Sequence, residues 1–362
     1  MSHARRRART FLDRLACMSA CLLASACVTH APDSPFGRQH RAHRLQPTAA
    51  PDGISVLWFG VTTLLFRDGD DAILIDGYLS RPPVGRLLVG GIGPDCAAAG
   101  QRLDKAGLER LGAIFVAHAH HDHVLDAPAI AARYDAPLYG SRSTLHLGSA
   151  GGARRLIEIE AGKPVTAAGF EVTAFATPHS DTLFDLAGIE APPTYPLPAL
   201  CFGAGQNYSF LVRRGDLRML VVPSAKLEPG SFAGLASDIV FLGIGGLGRE
   251  APGAICRLWE EAVRQRRARQ AILAHWDHLG QAPAEPPVTF GFPLDAVPRT
   301  HRLLQDLAGR DGIGLHYLPP SQPVALHAPA QATASPAARP PPARDCDAWA
   351  VAHGGGAIAE PN

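Results

Sequence analysis

Apolar residues along the chain gather into short runs separated by glycine, proline and aspartate. Ile54 to Phe59, Thr62 to Phe66 and Ala72 to Ile75 are three such runs, broken by Gly60 and by Asp68-Gly69-Asp70-Asp71. Short runs bounded by turn formers predict a strand meander. Further strands are predicted at Ala113 to Ala117, Phe170 to Thr177, Tyr208 to Val212, Met219 to Val222, Ile239 to Gly243 and Ala271 to Ala274. Between them, Asp126 to Tyr134, Ala254 to Arg269 and His301 to Ala308 space their apolar residues as helices with one buried face do. Two groups of strands with helices interspersed in each predict two sheets with helices outside, an α/β layered domain over 53–324.

Both ends of the chain break this pattern. Arg5, Arg6, Arg7, Arg9 and Arg14 precede an apolar stretch from Leu15 to Ala26 that closes in Leu23-Ala24-Ser25-Ala26-Cys27. A basic region, an apolar run too short for an ordinary membrane span and small residues before a cleavage point predict a signal peptide over 1–27. Small residues before Cys27 resemble a bacterial lipoprotein signal. Cys27 would then carry lipid, become the new N-terminus and anchor the chain to the membrane on the periplasmic side of the cell envelope. Cys21 offers a second cleavage point, and a plain signal peptide with an incidental cysteine is the other reading. Residues 28–52, rich in Pro, His, Arg and Ala, read as a tether. Residues 325–362, with Pro340-Pro341-Pro342 and Gly354-Gly355-Gly356, read as a disordered Ala/Pro-rich tail.

Composition narrows the function classes. A formal net charge of +1 gives no electrostatic case for a nucleic-acid partner. Beyond Cys17, Cys21 and Cys27, the cysteines at 96, 201, 256 and 346 are far apart and form no CxxC pair. That argues against a thiolate zinc site or a dense disulfide framework, and isolated cysteines of this kind read as small buried hydrophobes.

The chemistry concentrates where the strand Ala113 to Ala117 runs into His118-Ala119-His120-His121-Asp122-His123. Histidine is a common protein ligand for zinc, and a carboxylate suits it as a hard partner. In an extended segment His118 and His120 point to the same side. A turn into the following helix then brings Asp122 and His123 against a neighbouring metal. Further ligands are expected at other strand ends. His179 follows the strand Phe170 to Thr177, and His275 follows Ala271 to Ala274.

His118-x-His120-x-Asp122-His123 with a later histidine after each of two strands resembles the metallo-β-lactamase superfamily, over roughly Ile54 to Pro319. Trp58 to Phe66 and Ile75-Asp76-Gly77 resemble the opening of that fold. The resemblance implies a four-layer αββα sandwich. It implies two zinc ions, with iron or manganese as alternatives. His118, His120 and His179 would hold the first ion, and Asp122, His123 and His275 the second. Asp76 would support the metal loop, or simply form a turn. Where many relatives carry a bridging aspartate, this chain has Ser224, so no carboxylate bridge and a weaker second site are expected. Ser224-Ala225 and His275-Trp276-Asp277 are similar to a bacterial branch of the superfamily, and the ligand set is similar to one subclass of zinc β-lactamases.

Asp277 and His278 are candidates for orienting His275. Tyr208 and Tyr195 are candidate oxyanion donors or else ordinary core tyrosines, Asp122 would orient the nucleophile, and Lys226 would attract an anionic substrate or stand as a surface lysine. Glycines 243, 245 and 246 would serve a tight turn or a close backbone approach. The implied activity is hydrolysis by metal-bound hydroxide of a small-molecule ester, lactone, amide or phosphodiester. The absence of a GxSxG elbow weighs against a serine hydrolase. An iron-dependent oxidoreductase on the same fold and a non-catalytic, envelope-anchored binding protein are the alternatives. The connection Asp181 to Gly205 would wall or cover the pocket.

Overall fold

The computed structural model describes residues 28–48, 53–179, 188–291, 294–327 and 341–354. The signal-peptide residues 1–27, and residues 181–187 of the expected pocket-covering connection, lie outside them. Fourteen strands build two seven-stranded sheets. They are β1 (Ile54–Trp58), β2 (Leu64–Asp68), β3 (Asp71–Ile75), β4 (Ala113–Phe115), β5 (Leu138–Gly140), β6 (Leu156–Glu158), β7 (Pro164–Ala167), β8 (Phe170–Thr177), β9 (Asn207–Arg214), β10 (Leu217–Val222), β11 (Ile239–Gly243), β12 (Gln270–Ala274), β13 (Gly314–Tyr317) and β14 (Val324–Ala325). The first sheet runs β14-β1-β2-β3-β4-β5-β6 and the second β13-β12-β11-β10-β9-β8-β7. Each has an antiparallel half and a parallel half. In the first, β3 to β6 pair in parallel, and in the second, β10 to β13 do.

Strand alternation sorts the side chains into layers. Trp58, Phe66, Ile75 and Phe115 face the second sheet, where Phe66 meets Phe241 edge-on at 5.3 Å. Their neighbours Leu57, Leu65, Leu74 and Ile114 face the other way and join a separate cluster. Helices α1 (Pro35–His43), α2 (Val84–Val89), α3 (Cys96–Lys105), α4 (His121–Val124), α5 (Ala127–Tyr134), α6 (Arg142–Ala150), α7 (Pro252–Trp259), α8 (Val297–Asp311) and α9 (Cys346–Ala352) complete the chain. α3, α5 and α6 cover the outside of the first sheet through Leu103, Ile130 and Leu147, while α7 and α8 cover the second through Ile255, Trp259, Leu304 and Leu307. The result is the four-layer αββα sandwich.

Two segments depart from the sequence expectation. The expected tether contains α1, whose Phe36 and His40 are buried against Tyr317 and Trp276. Ser34 caps it by accepting from Gly37 N at 3.0 Å. Two buried residues four apart are enough to dock a helix that is otherwise polar. The expected tail is ordered in part. β14 pairs with β1, and α9 is capped by Asp345 and joined to α7 by a Cys256–Cys346 disulfide. Trp349 buries its ring there and donates from Nε1 to Asp306 at 3.0 Å. Averaged over an Ala/Pro-rich stretch, one Cys and one Trp leave little trace in composition. Cys256 and Cys346 are thus a pair rather than separate buried hydrophobes, while Cys96 and Cys201 are free and exposed.

Candidate metal centre

The centre lies where strands of both sheets end. After β4 the chain bends through His118 to His120, whose own backbone is extended, and α4 begins at His121. His118, His120 and His179, the last following β8, bring their ligand atoms within 4.8 Å of one another. His118 Nε2 and His179 Nε2 stand 3.1 Å apart. One turn on, Asp122 and His123 meet His275, which follows β12, in a second such group. Asp122 Oδ2 lies 3.3 Å from His275 Nε2 and 3.8 Å from His123 Nε2. The groups adjoin, with the rings of His118 and His123 centred 4.0 Å apart.

The donors fit divalent cations. Two imidazole nitrogens facing each other can share at most one proton, and His120 Nε2 is buried with no hydrogen-bond partner. Burial first, then the surrounding histidines, hold His118 well below the usual histidine range. Burial likewise takes His120 down to about 3, so both rings are neutral and keep a lone pair for a cation. At Asp122, burial works upward but His123, His121 and His275 outweigh it, keeping the carboxyl well below its ordinary value. At His123, burial works downward and the carboxylates of Asp76 and Asp122 overcome it. Those carboxylates favour positive charge at the second group, whether a proton or a metal ion carries it.

The supporting residues are strained and tightly bonded. Asp76, at the end of β3, accepts from His123 Nδ1 at 2.7 Å, from Thr62 Oγ1 at 2.5 Å and from Ala117 N at 2.8 Å. With Nδ1 so engaged, Nε2 of His123 is left for the second group. Val61, Asp76 and His275 have φ of 49°, 56° and 56°, a region that disfavours a side chain and β-branched valine most of all. Val61 is held there because Asp277 Oδ1 accepts from its N–H at 2.8 Å and its carbonyl accepts from His275 N at 2.9 Å. The glycine run after β11 makes a close approach. A Cβ on Gly245 would sit 2.4 Å from His275 Nδ1.

The supporting candidates fall differently. Asp277 does not touch the His275 ring. It pairs with Arg81 at 2.9 Å, both side chains almost fully buried, and reaches His275 only through the Val61 backbone. His278 accepts from Gly280 N and packs on Phe290 at 4.4 Å, outside both ligand groups. Ser224 is buried at the end of β10 and belongs to neither group. Tyr208 is not in the cavity wall. It is buried in the core beside β8, with its N–H donating to Ala117 O at 2.9 Å. Tyr195 directs its hydroxyl to Leu147 O and is likewise outside the wall. The sequence offered no signal for Arg81 or Thr62, whose partners are distant in the chain. Both ligand groups open on a cavity of about 1230 Å³, walled by Leu87, Phe202, Leu227 and Phe290, with Lys226 and Arg249 among its polar residues.

The family model of the beta-lactamase superfamily domain matches residues 73–276, more than half of the 362. This chain belongs to the β-lactamase superfamily. Within the superfamily it is 27% identical over 179 residues to the UPF0173 protein of Pyrococcus abyssi, covering 47% of this chain and 70% of the relative. The UPF0173 protein of Pyrococcus furiosus is 26% identical over 196 residues, covering 52% and 77%. Among solved structures, the metallo hydrolase Igni18 of Ignicoccus hospitalis aligns over 76% of this chain and 98% of its own, at 16% identity and a TM-score of 0.46. The metallo-β-lactamase fold protein YhfI of Bacillus subtilis aligns over 75% and 98%, at 17% and 0.47. CmlA, a diiron β-hydroxylase from Streptomyces venezuelae, aligns over 77% and 55%, at 13% and 0.48. Likenesses at these identities and scores carry no information about the reaction.

Proposed function

We propose that this superfamily member is a metal-dependent hydrolase of a small ester, lactone, amide or phosphodiester, working with two divalent ions, zinc in the first instance. The observation that carries the reading is the pairing of two three-ligand groups on one cavity. When bound, such ions supply Lewis acidity and lower the pKa of water. His118, His120 and His179 would hold one ion, and Asp122, His123 and His275 the other. Asp76 fixes the tautomer and angle of His123. Asp122 is the only carboxylate in the two groups and is held ionised, so it can accept a hydrogen bond from an attacking water and orient it. The absence of a carboxylate in the β10-end segment makes the second ion the weaker of the two. The test is turnover across panels of lactones, esters, amides and phosphodiesters: activity on one class should fall at least a hundredfold in His120→Ala. Full activity in that variant would sink the reading.

We also infer that the chain is exported and anchored at Cys27. The Cys256–Cys346 bridge supports this, because such bonds persist in oxidising compartments. Val28–Thr29 pairs with Val288–Thr289, which would seat the attachment point directly on the domain. Retention of Cys27→Ser in the membrane fraction would contradict it.

A further inference from the structure

The cavity wall contains four arginines, at 249, 257, 266 and 344. Three are committed to carboxylates. Arg257 pairs with Asp347 at 3.1 Å, Arg266 with Glu261 at 3.9 Å, and Arg344 with Asp311. Arg249 is different. Among the described residues no carboxylate lies within ion-pair distance of its guanidinium, which donates no hydrogen bond, and its Nε is buried without a partner. The half-buried guanidinium is thus left to water or to a ligand in the cavity, which a planar fork of donors can pair with directly.

Its location gives the reason. Arg249 ends a single helical turn, Leu247–Arg249, that follows the glycine run. A Cβ on Gly246 would sit 3.2 Å from Arg249 Nη2, and one on Gly245 would sit 2.4 Å from His275 Nδ1. The glycine backbone packs on the Nδ1 edge of His275, the edge opposite the Nε2 that meets Asp122, and runs on into the turn that carries Arg249. The turn is also rigid. Asp295 accepts from Gly246 N at 2.8 Å and Gly248 N at 3.0 Å, and Arg299 donates to the carbonyls of Gly248 and Glu250 at 3.0 and 2.9 Å. Of the other acids in the cavity wall, Asp295 is committed to those backbone groups and Glu261 to Gly230 N, Phe232 N and Arg266.

We propose that Arg249 is the substrate-reading cation of this cavity, and that the substrate carries an oxyanion, a carboxylate or a phosphate. This rests on the hydrolase reading for the word substrate, but the binding of an oxyanion does not. A guanidinium takes either anion through two parallel hydrogen bonds, whereas a lysine meets it as a point charge.

The test is calorimetric titration of the full chain, with its metals, by benzoate, phenylphosphonate and neutral benzyl alcohol. Arg249→Gln should weaken one or both anions by about tenfold or more and leave benzyl alcohol unchanged. Arg249→Lys should fall between. The anion that loses more names the group the substrate carries. Thermal midpoints should be the same in all three proteins, because the side chain makes no bond that folding needs. Anion affinities in Arg249→Gln within twofold of the parent, or no binding of either anion by the parent, would overturn the proposal. Loss of anion binding in Arg249→Gln by a protein that hydrolyses nothing would sink the hydrolase reading and leave the anion site standing.

Discussion

At Asp76 one carboxylate performs three tasks. It orients His123, takes the Thr62 hydroxyl and ties down the backbone at Ala117, just before the first histidine ligand. Supporting partners of this kind are worth about 10–100-fold in metal affinity. Asp76→Asn should therefore retain metal less well by that order in a chelator competition, and affinity equal to the parent would contradict the assigned role. The two donor clusters were legible because five of the residues from His118 to His123 are of ligand type and because strand ends are where such residues collect. For Tyr208 the core alternative matches its place, because a strand pattern shows that alternate residues face opposite ways without showing which face meets the cavity. The Arg81–Asp277 pair had no signal in the sequence, since only folding brings the end of β3 beside the end of β12.

Among the elements, the meander β1 to β3 and the long strands β8 to β12 were legible, each being an apolar run closed by turn formers. α1 was not, because its mean composition is polar and only Phe36, Gly37 and His40 are buried. That helix carries a pH dependence. Burial, then Arg44, His301 and His30, bring His40 down to about 3, and burial brings His301 down to about 4. Both lie below the value near 6.5 of an unfolded histidine, so in that interval the unfolded chain binds more protons than the folded one. Their stabilising contribution is therefore fully present above about pH 6.5 and is lost as pH falls toward these folded values. His40→Leu should flatten part of this loss in urea midpoints measured from pH 7.5 to 5. At pH 7.5 it should cost little, because neither ring nitrogen of His40 has a partner. An unchanged acid slope in that variant would contradict the account.

For the molecule as a whole, layer order followed from the two strand groups, but the docking of residues 28–48 and 341–354 onto the domain did not. The disulfide links residues 90 apart, so in the chain-entropy view it stabilises by about 4.6 kcal/mol against the unfolded state. Cys256→Ser should lower unfolding free energy by about 2–4 kcal/mol in denaturant titrations, and a change too small to measure would show that α9 holds by packing alone. The central claim is that both ligand groups bind metal. Elemental analysis of chain purified without chelators or metal-affinity tags tests it most directly, with His179→Ala and His275→Ala alongside. The account predicts about two ions per parent chain, one for each group, and the loss of about one in each variant. Iron in place of zinc would keep the centre and turn its chemistry toward redox. A parent chain holding no metal, or the same metal content in all three proteins, would contradict the account.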